Sequence, residues 1–395
     1  MSPALPDLGN GLHHRNPLLK RWSSFIVASF ILVALIATYQ WLASSAASAH
    51  YFLHGTQGKG SFNGRWDYTR DGRDLQMDQL QCEGAFPGLF DEIDRAVMQR
   101  KAIPVTIEEL DNINPETGYF RVMIYDNELY IIETGRDIYS RGLATLEALN
   151  RAILSSPDIL PNIEFVFNSD YRVKPSPQWV FARRPEDEDK WLMPDFGDWA
   201  GDRTLPSTFK QLQHKARLSE VSEWTWNRKI DELVEESQPI HHTAAIVEYC
   251  HYKYLAHKES DRTFLPGLKS LQTCQAVILS PQLNWIQAFH PLMSSAPGPQ
   301  QNYIRMDTME NATQLEDKLR WLREHDAEAE QIALNSVTTF RDRYLTPAAE
   351  MCYWRKLVRG WREVSFEPEF SNSTNGRWRG VPFERYGLQG LYHRD

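Results

Sequence analysis

Trp22 to Ala43 reads WSSFIVASFILVALIATYQWLA, 22 residues without a charge. As a helix this run is about 33 Å long, enough to cross a bilayer. Trp22 at one end, and Tyr39 and Trp41 near the other, suit the two interfacial belts. Arg15, Lys20 and Arg21 precede the run against one acid, Asp7, and Ser44 to Gln57 contains no Lys or Arg. The positive-inside rule then predicts a cytosolic tail at 1–21, a transmembrane helix at 22–43 and residues 44–395 in the lumen. Ala47-Ser48-Ala49 resembles a signal-cleavage site, but the apolar run exceeds the usual signal core of about 7–15 residues, so the anchor is the expectation. Because no second run of this kind exists, a polytopic membrane fold is excluded.

The length of 395 residues allows two domains, and 42% apolar with 24% charged residues is ordinary globular composition. A net charge of −9 argues against general nucleic-acid binding. The 13 Trp, 16 Tyr and 18 Phe are enough to build large cores and to line sugar or nucleotide pockets. Cys82, Cys250, Cys274 and Cys352 are too few for a disulfide scaffold; in an oxidising lumen they allow three pairings, and spacing does not choose among them. Asn311-Ala-Thr and Asn372-Ser-Thr are glycosylation sequons compatible with that compartment.

Residues 44–60 are small and polar and read as a stem. Phe120 to Tyr125 and Glu128 to Ile132 alternate around Asp126-Asn127, a β-hairpin signal. Ser140 to Ser156 has helical spacing with Ser140 as a cap; Ile163 to Phe167 and Trp179 to Ala182 read as strands. Ser207 to Leu233 reads as a polar helix, Ala244 to His257 as helix or strand, Ala276 to Leu279 as a buried strand and Leu283 to Met293 as a short helix. Leu315 to His325, Ala327 to Arg343 and Glu350 to Val364 complete the helices. The tail from Ser365 mixes Pro, Gly, Asn and Arg and reads as loosely ordered. Alternating α and β elements predict an α/β fold.

No P-loop, dinucleotide fingerprint or Gly-x-Ser-x-Gly elbow is present. His241-His242 and Cys250-His251 match no closed zinc spacing, so no metal is expected. Asp187-Glu188-Asp189 reads as a solvated loop. Asp170 follows the carboxyl end of an apolar strand, where α/β folds place chemistry and a carboxylate can act as a general base. Asn168-Ser169-Asp170 is also turn chemistry.

Six segments in order, Cys82–Ala96, Leu192–Gly197, Tyr249–His257, Leu283–Trp285, Gly298–Tyr303 and Thr339–Arg355, resemble the fungal capsule-associated glycosyltransferases of glycosyltransferase family 90. That family also holds the Rumi-type protein O-glucosyltransferases, and the resemblance spans roughly residues 61–363. It implies a GT-B-like fold, two Rossmann-like domains facing across a cleft. It also implies inverting transfer of a sugar of the xylose or glucose type from a UDP-sugar to a hydroxyl of a glycan or protein, without an obligatory metal or other cofactor. The implied layout is an acceptor-side domain at 61–225, a nucleotide-sugar domain at 226–345, a helix packing back at 346–364 and a tail at 365–395. Asp170 matches the family's base, although its spacing from Asn168 is off by one. His257, Glu259, Arg262 and Lys269 would line the donor side; Asp195, Phe196 and Trp199 would shape the cleft, the last two by stacking on a sugar or by core packing. The resemblance pairs Cys250 with Cys274 and Cys82 with Cys352. A single-pass type II protein of the Golgi or ER follows from family habit.

Two departures fall on donor binding. The family's Trp-Arg-Gly element after the strand Lys229–Val234, and the segment that follows, are missing; Trp378-Arg379-Gly380 lies too far downstream to replace them. The nucleotide-sugar domain is therefore expected to be shortened by an internal deletion. The Ser-Gly-Arg of the donor loop has become Leu265-Pro266-Gly267, which removes a bidentate phosphate ligand and a backbone N–H. These departures set a second expectation beside the enzyme: an inactive lumenal family member that binds glycan or protein, or partners an active paralogue.

Overall fold

The computed structural model describes residues 65–136, 138, 140–172, 177–195, 208–235, 247–260, 263–264, 267–371 and 376–392. The expected tail, transmembrane helix and stem (1–60) lie outside the described residues. Among the described residues no helix is long and apolar enough to cross a membrane. Ser61–Asp395 forms one compact unit.

Short helices α1 (Tyr68–Asp71), α2 (Gln79–Ala85), α3 (Asp91–Arg100) and α4 (Ile107–Asp111) lead into a hairpin of β1 (Tyr119–Tyr125) and β2 (Glu128–Thr134). Its two turn residues, Asp126 and Asn127, both have positive φ, 50° and 60°, the geometry that a two-residue hairpin turn demands. Helix α5 (Ser140–Leu154) follows, then β3 (Ile163–Asn168), β4 (Trp179–Val180) and β5 (Trp191–Leu192). Strand β1 pairs antiparallel with β2 and β3, whereas β3, β4 and β5 run parallel.

Helix α6 (Phe209–Ser222) opens on a capping box in which Thr208 and Gln211 serve each other's backbone N–H. It stops well short of Leu233, because Ile230 begins strand β6 (Ile230–Glu235). Strands β7 (Tyr252–Ala256), β8 (Val277–Ser280) and β9 (Ile304–Arg305) complete a second, all-parallel sheet in the order β6-β7-β8-β9. Buried side chains cover both of its faces, which is why Val277 to Leu279 reads as continuously apolar. Strand β6 pairs with β7, with Leu233 opposite Tyr254 and Val234 opposite Leu255, and the register shifts between Ile230 and Leu233.

Helix α7 (Gly267–Leu271) lies between β7 and β8, and the helices α8 (Ala312–Glu324) and α9 (Asp326–Thr339) follow β9. A π-helical turn, Phe340–Tyr344, then joins α9 to α10 (Pro347–Glu363), closing with the bond from Leu345 N–H to Phe340 C=O at 2.8 Å. Helix α10 returns to the first sheet. Its Trp354 and Trp361 pack against Trp179 at 6.4 and 5.6 Å between ring centres, and Trp361 lies 5.0 Å from Trp191. The expected helix over Leu283 to Met293 is replaced by irregular chain ending in one 3-10 turn, His290–Leu292, because its backbone groups are spent on other segments. Both amide bonds of Ile286 go to Arg183, at 2.7 and 3.0 Å.

The segment from Ser365 carries more order than its composition implies. Strand β10 (Val381–Pro382) pairs with β2 as the outermost strand of a six-stranded sheet, β10-β2-β1-β3-β4-β5, and α11 (Phe383–Tyr392) follows. Phe370 stacks on Tyr125 at 4.6 Å, and Arg379 reaches the fully buried Glu164 at 2.8 Å. Two disulfides are present, Cys82–Cys352 and Cys250–Cys274, the pairing that the resemblance implies. Cys250 is thereby spent and cannot be a zinc thiolate.

Candidate active site

The carboxyl ends of β3, β4 and β5 approach the loops that leave the parallel sheet. Asp170 sits two residues past the end of β3 and is 8% exposed. Its N–H donates to Asn168 Oδ1 at 2.8 Å, so the turn reading of Asn-Ser-Asp is realised. Its Oδ1 accepts from Tyr171 N–H at 2.8 Å and its Oδ2 from Arg172 Nε at 2.8 Å. Arg141, on α5, donates to Ser169 C=O, places its guanidinium 4.5 Å over the Tyr171 ring and comes within 4.0 Å of Asp170 Oδ1. The turn thus fixes the backbone while two arginines fix the carboxylate.

The next residue makes the crossing to the second sheet. Tyr171 C=O accepts from Phe264 N–H at 3.1 Å, and the two rings meet edge to face at 5.6 Å. Phe264 belongs to the expected donor loop between β7 and α7. In that loop Glu259 accepts from Asn284 N–H at 2.5 Å and Trp285 N–H at 3.3 Å, while Trp285 Nε1 donates to Ser260 C=O at 2.8 Å. Burial pushes the Glu259 carboxyl above its ordinary range, against the stabilising pull of those amides and His257. Arg184 lies 4.6 Å over the Trp285 ring. His257 is buried and its N–H donates to Leu279 C=O at 2.9 Å. Burial, with His257 nearby, pushes His290 down to about 3, so that imidazole is neutral at physiological pH.

Lys269 and Asp195 come together on one cavity of about 50 Å³. Phe181, Met193, Phe289 and Tyr353 form its apolar wall; Gln287, Thr346 and Glu350 add polar groups. Thr346 caps α10 and the π-helical turn delivers Tyr344 and Leu345 to the same wall. Lys269 is 6% exposed, with its ammonium 4.3 Å over the Phe209 ring. Asp170 is not among the residues that line this cavity. Arg262, Phe196, Trp199 and the Leu265-Pro266 pair lie outside the described residues, as do His241 and His242. Sequence reasoning did not single out Gln287, Glu350 or Arg184. The segment around Glu350 stands out only as a resemblance, and Gln287 has no motif at all.

Among the described residues no group of three or more His, Cys, Asp or Glu is placed to hold a metal ion. The acidic triplet lies in an exposed turn, a solvated loop: the Glu188 and Asp189 side chains are about half exposed, with Arg95 donating to Glu188 C=O and Lys190 to Asp189 at 2.7 Å.

A mixed six-stranded sheet, an all-parallel four-stranded one, and a buried carboxylate in the turn after β3 that is hydrogen-bonded to the loop after β7 fit an α/β glycosyltransferase. Residues 190–374, just under half of the chain, match the model described as Glycosyl transferase family 90, a similarity that supports a glycosyltransferase family 90 member. The matched stretch holds Asp195, His257, Glu259, Lys269 and Gln287; Asp170 precedes it. No curated protein matches the chain.

Proposed function

We propose that the chain transfers a sugar of the xylose or glucose type from a UDP-sugar to a hydroxyl of a glycan or protein, with inversion. Asp170 is the base that takes the proton of the acceptor hydroxyl as it attacks the anomeric carbon. His257, Glu259, Arg262 and Lys269 form the donor side, and Asp195 the cleft. One observation carries this reading: the turn that holds Asp170 is hydrogen-bonded, through Tyr171, to Phe264 of the donor loop. In this reading the two sheets are the halves of a GT-B-like arrangement, and the protein sits in the Golgi or ER membrane with its bulk lumenal. Arg172, 61% exposed, releases Asp170 when an acceptor arrives.

The inactive reading has an observation of its own, since both oxygens of Asp170 already accept hydrogen bonds. Calorimetry with UDP separates the two. Micromolar binding, followed by turnover of a UDP-sugar that Asp170→Asn abolishes, is the expected result. Absence of binding at millimolar UDP by folded protein would leave the non-catalytic role.

A further inference from the structure

Asn311 is the N-cap of helix α8, and its Oδ1 accepts from Gln314 N–H at 3.1 Å. Only the oxygen of a carboxamide can accept there, so the amide has one placement. Its Nδ2 is the end left over, and it has no hydrogen-bond partner among the described residues. Glu310, Asn311, Ala312 and Thr313 are all exposed on the turn that leads from β9 into α8.

Capping alone accounts for Asn311, since Ser or Asp would serve the same N–H. It does not account for Thr313. That residue is the second of the helix, where its hydroxyl makes no hydrogen bond among the described residues, and threonine is a poorer helix former than alanine. Asn311-Ala312-Thr313 is, however, the pattern that directs a glycan onto asparagine in the secretory lumen. The cysteines point to that compartment independently. All four are paired, as Cys82–Cys352 and Cys250–Cys274, which is the covalent state of an oxidising lumen.

We propose that Asn311 is an N-glycosylation site, carrying its glycan on Nδ2 while Oδ1 goes on capping α8. The inference goes beyond the transfer reaction proposed above and rests only on the lumenal placement that accompanies it. In the modification Nδ2 loses one proton and bonds to the anomeric carbon of a lipid-diphosphate-linked oligosaccharide. The lipid diphosphate leaves with the electron pair of the broken C–O bond. The amide keeps its carbonyl and one N–H, so the acceptor facing Gln314 N–H is unchanged.

The test expresses the full-length chain in a yeast host, with a C-terminal tag whose own sequon that host glycosylates on a secreted carrier. An amidase that removes N-glycans leaves aspartate wherever asparagine carried one, and peptide masses then read each position. The expected result is aspartate at position 311, with one step of gel mobility lost in both Thr313→Ala and Asn311→Asp. Because Asn311→Asp keeps the cap acceptor, it should melt as the deglycosylated wild type does, and Asn311→Ala should melt lower. Equal melting of these two variants would overturn the retained cap. A glycosylated tag beside an unmodified Asn311 would overturn the site and leave the lumenal placement standing. An unmodified tag would overturn the lumenal placement and the site with it.

Discussion

Asp170 and Glu259 sit on loops joined by the Phe264–Tyr171 hydrogen bond but in different surroundings. Asp170 has guanidinium and amide donors on both oxygens, so Asp170→Asn keeps the turn and loses the charge. UDP affinity is expected to persist while turnover falls by roughly 10²–10⁴, measured as initial rates with a UDP-sugar. Glu259 is raised by burial. Between its ordinary value of 4.5 and the raised one, the folded protein keeps a proton that the unfolded chain has released. Stability from this group therefore falls as pH rises through that window. Urea midpoints followed from pH 4 to 7 should show this fall in the wild type relative to Glu259→Gln; parallel curves would contradict it. Asp170 stood out as a candidate because it follows an apolar strand, and Glu259 because its loop resembles a family loop. Gln287 was not legible: its place on the cavity is a property of what the fold brings together, and a glutamine among Trp285, Ile286 and Phe289 gives no periodicity or spacing to read.

At the scale of elements, helix α10 and the turn before it organise most of the site. Gly360 is where α10 meets α3: a methyl there would come within 2.8 Å of Ile93 Cγ2 and 3.1 Å of Val97 Cγ2. Gly360→Ala is expected to destabilise by about 1–3 kcal/mol despite the better helix propensity of alanine, seen as a lower urea midpoint. The π-helical turn is held by Glu220 of α6, whose carboxylate takes Arg341 Nη1 at 2.5 Å and Lys229 Nζ at 3.3 Å, all three nearly buried. Burial drives the Lys229 ammonium below its ordinary range, with Glu220 opposing. Glu220→Gln takes the carboxylate from buried Lys229 and leaves Arg341 with Asp342, and should cost about 3–5 kcal/mol. Thermal melting checks this, and a change under 1 kcal/mol would mean that the cluster is wet. The hairpin, α5, β3 and the late helices were readable from periodicity and turn residues. Strand β4 was read within Trp179 to Ala182, whereas the two-residue strands β5, β9 and β10 are too short to leave an alternation, and Leu283 to Met293 looked helical because its apolar spacing serves tertiary contacts instead.

Across the whole molecule, distant segments tie the fold together. The Cys82–Cys352 bridge closes a separation of 270 residues and Cys250–Cys274 one of 24, worth about 5.5 and about 3.5 kcal/mol respectively in the chain-entropy model. The tail adds β10 to the edge of β2 and brings Arg379 to Glu164, which Arg121 also holds at 2.7 Å. A chain ending at Val364 should expose that edge and leave Glu164 with one cation. Its expected behaviour is a lower melting temperature and aggregation in light scattering; a monodisperse truncation with unchanged melting would show that the tail is ornamental. The α/β class and the cysteine pairing followed from sequence and resemblance. The order of the tail did not, because Pro, Gly and Arg signal loops and their long-range partners are invisible in a local window.

The four indoles of Trp179, Trp191, Trp354 and Trp361 form a chain with neighbouring centres 5.0 to 6.4 Å apart, while Trp285 stands beside Glu259 and Arg184. Chromophores that close couple their transitions, so the first group should give the protein a strong near-ultraviolet dichroism that reports on the packing of α10. Trp285 is one of nine tryptophans outside that group, and its indole, bonded to Ser260 C=O, would report on the loop that holds Glu259.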